Sequence, residues 1–300
     1  MKKFPGKTHK TQFITDKCFS QPEKAKFTVL PIPYEKTTSY GKGTKKGPDA
    51  ILKASLQLEL WDEETKKETW KNGVYTYKAF NCKKPEKLFF KTLETEVSHI
   101  LNSTNSVPFF LGGEHSITQA LIPPFLKKHK NLSVLHFDAH ADLRPDYEGT
   151  AHNHACAMSP ISKLCKVVQV GIRNIAPEEE KYTNSGNVKT YLMHENLDMD
   201  KLTTKVLKNL TSKVYITIDA DGFDPSVMPA TGTPQPGGFM WYDALRLLKK
   251  ICKKKEIVGV DIMEVSPIKN SHITEFAAAK LIYRLMSYLS SKKETPTYGK

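Results

Sequence analysis

Short apolar runs, each closed by polar or turn-forming residues, recur along the chain. Six of them fit buried β-strands, because β-branched and aromatic residues dominate them and turn residues bound them. They lie at residues 26–33, 106–113, 132–140, 167–173, 214–221 and 256–265. The spacing between them leaves room for helices, and this alternation is the first indication of the fold.

Helical periodicity appears between several of the predicted strands. Apolar positions that share one helix face are Phe89, Leu93, Val97 and Ile100, and on a second helix Leu245, Leu248 and Cys252. Residues 274–289 predict a closing helix that is largely buried. Because strands that alternate with helices need right-handed crossovers, we predict an α/β fold with a mostly parallel sheet covered on both faces.

The size and composition are those of a globular chain. With 300 residues, 39% of them hydrophobic, the chain can form one large domain, so we expect a single domain over residues 1–300. Residues 1–25 are predicted to form an N-terminal arm and residues 291–300 a frayed tail, since both are polar and lack periodicity. Five scattered cysteines without a C-x-x-C pair predict free thiols.

Neither a membrane span nor a secretory signal is expected. The longest apolar stretches fall short of the ~20 residues that cross a bilayer. The basic start of the chain lacks the apolar core of a signal peptide, so a cytoplasmic location without a membrane partner is predicted.

The strong positive charge raises the question of an acidic partner. The formal net charge is +13, yet only four of the 45 basic residues are arginine, and the lysines are spread along the whole chain. Phosphate and base contacts favour arginine, and no predicted helix carries a basic stripe interleaved with aromatics. Nucleic acid is therefore an unlikely partner, and the lysines are interpreted as a solvated surface.

Chemically reactive side chains follow four of the predicted strands. They are His115; Asp138, His140 and Asp142; Asp219 and Asp221; and Asp261 and Glu264. Residues two apart on an extended strand point to the same face, so the trio at 138–142 should converge. Because parallel strands end at one edge of the sheet, all four segments should meet in one cleft.

Four clustered aspartates would repel one another unless cations neutralise them. Two divalent ions balance the charge of Asp138, Asp142, Asp219 and Asp221. An oxygen-rich set with two imidazoles and no thiolate suits Mn²⁺ better than structural Zn²⁺, with Fe, Co or Ni as other occupants. Two ions ~3.5–4 Å apart would share a water and acidify it to a hydroxide nucleophile, so metal-assisted hydrolysis is predicted.

Taken one at a time, these spacings are weak signals. A histidine after two glycines is commonly a loop residue, and Asp224 before Pro225 is interpreted as turn chemistry. The combination of all the segments in this order is much more specific.

Four motifs together carry a resemblance to a known family. GGEHSIT at 112–118, DAHAD at 138–142, the block from Asp219 to Gly238 and GVDIMEVSP at 259–267 resemble the manganese ureohydrolases, the arginase and agmatinase family. The resemblance also covers residues 33–51 and 169–173. It implies a three-layer α/β/α fold with an eight-stranded sheet, two Mn²⁺ ions per subunit, hydrolysis of a guanidinium group to urea and an amine, and a homo-oligomer, a trimer or hexamer.

The resemblance also assigns roles to individual residues. The six family ligands fall on His115, Asp138, His140, Asp142, Asp219 and Asp221 without a substitution. Glu264 matches the carboxylate that holds the guanidinium, and His154 matches the histidine that passes a proton to the leaving amine. His152 is near enough to compete for that role, although a loop residue is the better interpretation.

The segment after DAHAD bears on the substrate. Arginases are expected to carry an Asn- and Ser-rich loop there, whereas residues 143–155 resemble the loop of one subset of agmatinases. Agmatine, cleaved to putrescine and urea, is therefore the predicted substrate, with Asp146 or Glu148 as candidate partners for its distal amine. Arg144 leaves open a carboxylate-bearing substrate such as guanidinobutyrate, or a local salt bridge.

Two alternatives remain beside agmatine hydrolysis. One is a sister ureohydrolase that acts on arginine, guanidinobutyrate or another guanidino acid. The other is a non-catalytic basic binding protein with a vestigial metal site, which six intact and costly polar residues argue against. Stoichiometric metal would discriminate against this second alternative.

Overall fold

A computed structural model describes residues 8–15 and 21–291. The strands are β1 (Phe27–Ile32), β2 (Val74–Thr76), β3 (Val107–Gly112), β4 (Leu132–Phe137), β5 (Lys166–Ile172), β6 (Val188–Leu192), β7 (Lys213–Asp219) and β8 (Glu256–Met263). The helices are α1 (Gly47–Ser55), α2 (Glu86–Ser103), α3 (Thr118–Lys128), α4 (Ser159–Ser162), α5 (Pro177–Glu180), α6 (Met199–Asn209), α7 (Trp241–Lys254) and α8 (Ile273–Ser290).

The eight strands form one parallel sheet in the order β2-β1-β3-β8-β7-β4-β5-β6. One hydrophobic cluster joins one face of the sheet to α1, α6, α7 and α8, and a second joins the other face to α2, α3 and α4. Strands buried from both sides must be apolar throughout, which explains the continuous apolar runs of the sequence. The predicted three-layer α/β/α fold is confirmed.

Six of the eight strands coincide with the predicted apolar runs. The two that the pattern did not indicate, β2 and β6, are the outermost strands, and they have three and five residues respectively. The predicted helices correspond to α2, α7 and α8. Helix α3 was not predicted, because Pro123 and Pro124 interrupt its helical pattern.

Part of the predicted N-terminal arm lies against the domain. Phe13 and Ile14 are buried in the core, and the backbone amide of Ile14 donates to Ser55 Oγ at 2.9 Å. The rest of the arm's first twenty residues, 1–7 and 16–20, and the tail beyond Ser291 lie outside the described residues.

Other predictions concern the cysteines and the membrane. Cys82, Cys156, Cys165 and Cys252 are free thiols, as predicted, while Cys18 lies outside the described residues. Among the helices of the described ranges, none combines the length and apolar character that crossing a bilayer requires.

The four central strands set the position of the site. β3, β8, β7 and β4 lie side by side and parallel, so their carboxyl ends open onto one edge of the sheet. Each of the four chemically interesting segments begins at one of these ends. The topology therefore gathers residues that are up to 149 positions apart in the sequence.

Candidate metal centre

His115 reaches the site from a short 3₁₀ turn after β3. The glycines before it were expected to permit a sharp turn, but the structure gives a different reason for one of them. A Cβ at Gly113 would lie 1.8 Å from the backbone oxygen of Tyr34, so the close approach of two backbone segments requires glycine there. That packing fixes where the His115 turn begins.

The trio at 138–142 converges, although not by continuing a strand. β4 ends at Phe137, and Asp142 has φ of 53°, in the left-handed region that few non-glycine residues adopt. His115 Nδ1 nevertheless lies 3.1 Å from Asp138 Oδ2 and 3.5 Å from Asp142 Oδ2. The expectation of an extended strand was wrong, because the chain turns at 138–142 to bring these groups to one point.

Asp219 and Asp221 complete the cluster from the end of β7. Asp219 is the last residue of the strand, and its Oδ1 accepts from the backbone amide of Asp221 at 2.9 Å, which holds the following 3₁₀ turn. Asp219 Oδ2 lies 3.1 Å from His115 Nδ1, and Asp221 Oδ2 lies 3.0 Å from His140 Nδ1.

Five of the six predicted ligands thus fall in two groups that share one carboxylate, and the sixth, Asp219, lies beside His115. Asp138 Oδ2 faces His115, while its Oδ1 lies 3.6 Å from His140 Nδ1. Side chains that could hold an ion are His115, His136, Asp138 and Asp142 in one group and Asp138, His140 and Asp221 in the other. The arrangement provides two adjacent sites with Asp138 between them.

Electrostatics in the cluster indicate an excess of negative charge. Burial, together with the charge of Asp138, raises the pKa of Asp142 well above its ordinary range. Burial and the charges of Asp221 and Asp138 do the same for Asp219. Burial alone would lower the pKa of His140, but Asp221 and Asp138 raise it to about 12. These three groups therefore take up protons readily, which is the behaviour expected of a site built for cations.

The donor set fits divalent metal ions. It offers carboxylate oxygens and imidazole nitrogens, all buried or nearly so, in two groups that share Asp138. Hard, oxygen-rich sites with one imidazole per ion suit ions such as Mn²⁺. The residues present are therefore compatible with a binuclear centre.

Glu264 follows β8 and faces the same cavity. Its backbone also has a positive φ, 60°, and its Oε1 accepts from the backbone amide of His115 at 2.7 Å. Burial raises the pKa of its carboxyl well above the ordinary value, and the charges of Asp219 and Glu114 add to that effect. A cation near Glu264 would relieve this repulsion.

His154 lies on the opposite wall, held by the loop after β1. Its backbone amide donates to Thr37 Oγ1 at 3.1 Å, while Thr37 Oγ1 donates to Glu114 Oε1 at 2.8 Å. The ring nitrogens Nδ1 and Nε2 each lie 3.4 Å from a hydroxyl, of Thr37 and Ser39 respectively. Burial lowers the pKa of His154.

The neighbouring His152 has a structural setting. Its ring stacks on Phe90 with centroids 4.0 Å apart, and its Nδ1 lies 3.0 Å from Gln119 Oε1. It does not line the cavity that His154 lines. The interpretation of His152 as a loop residue agrees with these contacts.

A cavity of about 210 Å³ opens above these side chains. Its floor is formed by His115, His140, Asp142, Asp219, Asp221 and Glu264. Its wall includes His154 together with residues of the loops at 38–41, 144–147 and 174–179. Acidic, basic and polar groups converge on this space, as in the active sites of α/β enzymes.

Comparison with known proteins identifies the family and supports the fold. The family model described as "Arginase: Arginase family" matches residues 25–287. The chain belongs to the arginase family. Its ureohydrolase type, predicted from the sequence motifs, is confirmed, and with it the hydrolase class.

Three relatives show how far the likeness of this arginase-family chain extends. It is 36% identical to an N(1)-aminopropylagmatine ureohydrolase of Synechocystis sp., over 92% of this chain and 93% of the relative. It is 33% identical to an agmatinase of Pyrococcus horikoshii, over 86% and 90% of the two chains. The solved structure of an agmatine ureohydrolase of Thermoplasma volcanium superposes with a TM-score of 0.83, 30% identity and coverage of 93% and 94%.

The outer rim of the cavity differs from what the sequence indicated for this arginase-family chain. Asp146 and Glu148, the candidate partners for a substrate amine, are exposed and do not line the cavity. Arg144 does line it, but its Nε lies 3.3 Å from Glu178 Oε1, and its guanidinium stacks 4.3 Å from the Tyr147 ring centroid. The local salt bridge considered for Arg144 is therefore the arrangement observed.

Sequence reasoning missed three polar residues that support the site. His136 and Glu114 are fully buried, and Thr37 lies between Glu114 and His154. His136 lies two residues before Asp138, with Phe137 between them. The one signal for it was a polar residue inside an apolar strand run. For Thr37 no local signal existed, because it lies 117 residues from His154.

Proposed function

We propose that the chain is a Mn²⁺-dependent hydrolase that cleaves the guanidinium group of agmatine to putrescine and urea. The observation that carries the proposal is the pair of ion-holding groups that share Asp138 directly beneath a cavity lined by Glu264 and His154. A planar cation entering that cavity would meet carboxylates on its floor and a proton-transferring imidazole on its wall.

The distances between side-chain atoms divide the residues that would hold the ions into two sets. His115, Asp138, Asp142 and Asp219 surround one position, and His140, Asp138 and Asp221 surround the other. When bound, two such ions supply the Lewis acidity that activates water for attack on the guanidinium carbon.

Glu264 would bind and orient the guanidinium. Its Oε1 accepts from the His115 amide, which fixes the carboxylate, and Oε2 remains available for the N–H groups of the substrate. Charge-assisted hydrogen bonds from a planar guanidinium to a carboxylate combine strength with a defined orientation. The substrate cation would also offset the repulsion that raises the pKa of Glu264.

His154 would transfer a proton to the leaving amine from its Nε2. Thr37 Oγ1 donates its one proton to Glu114, so its contact with His154 Nδ1 requires that Nδ1 donate. Nε2 is then the ring atom that exchanges protons, beside Ser39 Oγ. A lowered pKa makes the imidazolium a stronger acid and therefore a better donor.

The rim favours an amine tail over a carboxylate tail. A guanidino acid such as arginine or guanidinobutyrate would need a free cation for its carboxylate. Arg144, the cation on the rim, is already paired with Glu178 and lies 3.9 Å from Glu179. This local neutralisation supports agmatine over the guanidino acids.

A second candidate substrate is N(1)-aminopropylagmatine. The Synechocystis relative with 36% identity is named for that compound, and the cavity has exposed residues such as Ser39 and Tyr40 at its edge. Cleavage would release urea and the corresponding triamine by the same chemistry. The two substrates differ only in the tail that extends past the rim.

The test is urea release by Mn²⁺-loaded protein from agmatine, N(1)-aminopropylagmatine, arginine and guanidinobutyrate in parallel, with His140→Ala as the inactive control. The proposal expects turnover of agmatine and none by the variant. Preference for the aminopropyl compound would assign the second candidate. If none of the four compounds is cleaved by protein with two bound Mn²⁺ ions, the proposed function is wrong.

A further inference from the structure

A row of buried polar side chains runs across three strands toward the metal centre. Thr190 on β6, Gln169 on β5 and His136 on β4 are neighbours in the strand register, and all three are buried. The row ends at Asp138, the carboxylate shared by the two ion-holding groups. Polar residues inside a sheet are costly unless every group is hydrogen-bonded, so the contacts of this row are informative.

The orientation of the Gln169 amide follows from its partners. One side-chain atom lies 2.6 Å from the backbone oxygen of Ala141, which can only accept, so that atom is the amide nitrogen Nε2. The other atom, Oε1, accepts from Thr190 Oγ1 at 2.7 Å. The second N–H of Nε2 is therefore directed at His136 Nδ1, 2.9 Å away.

This orientation determines which nitrogen of His136 carries the proton. Because Nδ1 accepts from Gln169, the ring proton is on Nε2, and Nε2 donates to Asp138 Oδ2 at 2.8 Å. A protonated ring nitrogen has no lone pair for a metal ion. His136 therefore lies among the side chains of the first ion-holding group, but its Nε2 proton prevents it from acting as a ligand.

The ring of His115 is turned the other way, so that its unprotonated nitrogen faces the carboxylates. Its Nε2 lies 2.8 Å from Thr217 Oγ1, whose proton is donated to Asp261 Oδ1 at 2.5 Å. Nε2 of His115 must then be the donor, which leaves Nδ1 unprotonated in the neutral ring and directed at Asp138 and Asp219. The hydrogen-bond partners behind the two neighbouring imidazoles therefore direct an N–H of His136 and a lone pair of His115 toward Asp138.

We propose that Gln169 and His136 are positioning residues of the candidate metal centre: Gln169 fixes the proton on His136 Nε2, and that N–H orients Asp138, the carboxylate that the two ion-holding groups share. The inference rests on the proposed metal site, not on the identity of the substrate. Hydrogen bonds of this kind behind metal ligands commonly change metal affinity by about 10–100-fold.

The first test changes the proton position without changing the shape of the side chain. In Gln169→Glu the carboxylate requires a proton on His136 Nδ1, so the ring either loses its Nε2 proton or becomes an imidazolium whose charge repels the ions. Nitrogen-15 spectra of histidine-labelled, metal-free protein should show His136 protonated at Nε2 in the parent and at Nδ1 in the variant. Calorimetric titration should show Mn²⁺ affinity about 10–100-fold lower in the variant.

Gln119→Glu is the matched control. Gln119 also pairs with a histidine, since its Oε1 lies 3.0 Å from His152 Nδ1, and its Nε2 donates to the backbone oxygens of Ala151 and Cys156. It lies outside the cavity lining, so the same substitution there should leave Mn²⁺ affinity unchanged. Equal Mn²⁺ affinity in both variants would overturn the inference, as would a parent protein with the proton on Nδ1.

A second pair of variants separates positioning from ligation and does not depend on Gln169→Glu folding. His136→Gln keeps an N–H near the place of Nε2 and should bind two Mn²⁺ ions with nearly parental affinity, whereas His136→Phe should bind both more weakly. Loss of one ion in both variants would identify His136 as a ligand and overturn the inference. None of these readouts uses substrate, so a failure here is distinguishable from a failure to release urea.

Discussion

Two buried charged clusters of the molecule differ in how their charges are balanced. At and beneath the floor of the cavity, five carboxylates meet the imidazoles of His115 and His140; the carboxylates are those of Asp142, Asp219, Asp221 and Glu264 and, beneath them, Asp138. Near the C-terminal helix, the buried guanidinium of Arg284 pairs with Asp62, Glu63 and Glu64, and Lys249 and Lys280 neutralise the same carboxylates from outside.

Three carboxyl pKa values of the first cluster move in the opposite direction to that of Glu63 in the second. Burial would also raise the pKa of Asp138 in the first cluster, but contacts with His136, His115 and His140 hold it well below its usual range. Burial and neighbouring carboxylates raise the pKa of Asp142, Asp219 and Glu264. Burial alone would also raise the pKa of Glu63, but hydrogen bonds from its backbone, Lys280 and Arg284 lower it to about 2. A cluster that supplies its own counter-charges holds the fold together, and one that lacks them is a place for a ligand.

The largest effect is expected from removing a carboxylate of the cavity floor. Asp219→Asn should lower urea release by about 10³-fold or more, because the Lewis acidity of the bound ions contributes several kcal/mol. The bound Mn²⁺ should fall from two ions toward one, measured by metal analysis after gel filtration. The metal-free variant should melt no lower than the metal-free parent, since one repelling charge is gone.

The exposed Asp200, which pairs with Lys250 at the surface, provides the control for that variant. Asp200→Asn should retain both ions and full activity. Retention of two tightly bound ions by Asp219→Asn would contradict the charge argument for the cavity floor.

A substitution in the balanced cluster, that of Arg284 with Asp62, Glu63 and Glu64, should change the stability of the fold rather than the activity. Arg284→Met leaves the buried Asp62 without its partner at 2.8 Å and should destabilise the fold by about 3–5 kcal/mol. Urea denaturation measures this loss, and Arg246→Met on the exposed face of α7 should cost far less. Protein that remains folded should bind two Mn²⁺ ions normally, and a variant as stable as the parent would show that the cluster does not support the fold.

A smaller effect is expected at the wall of the cavity. Thr37→Val removes the hydroxyl between Glu114 and His154, so the imidazole loses its fixed orientation. We expect kcat to fall about tenfold or more with KM nearly unchanged, because the contribution of a positioned proton donor is typically 10²–10⁴-fold and would be lost in part. Thr37→Ser should restore kcat, and a defect in KM alone would point to a role in substrate binding instead.

The smallest expected effect is a pH dependence of the balanced cluster. Burial would raise the pKa of Glu64, but its hydrogen bonds with Lys249, Tyr288 and Arg284 outweigh burial and lower it. A group with a lowered pKa in the folded state stabilises the protein above its unfolded pKa, and that contribution is lost as the pH falls through the folded pKa. For a partly exposed group it is under about 1 kcal/mol.

Melting temperatures between pH 6 and pH 3, compared with those of Glu64→Gln, measure this contribution. The parent should lose more stability than the variant as the pH falls. Parallel curves would show that the contacts of Glu64 contribute nothing.

The sequence predicted which residues meet at the candidate site better than it predicted the residues that support them. Asp138, Asp219 and Glu264 follow long apolar strands, and the parallel arrangement of those strands is enough to bring them together. The His136–Gln169 contact depends on the register of β4 against β5, which composition and spacing do not encode. The short edge strands β2 and β6 were missed because so few residues carry too weak a pattern.

The positive φ values of Asp142 and Glu264 have a practical consequence for protein engineering. Glycine adopts this backbone conformation without steric strain, whereas other residues held there are strained by about 1–3 kcal/mol. A library screened for heat resistance alone should therefore enrich glycine at 142 and 264, and the selected variants would have lost a carboxylate of the candidate metal centre or the proposed guanidinium partner. Directed evolution of this fold needs a selection for turnover at these two positions.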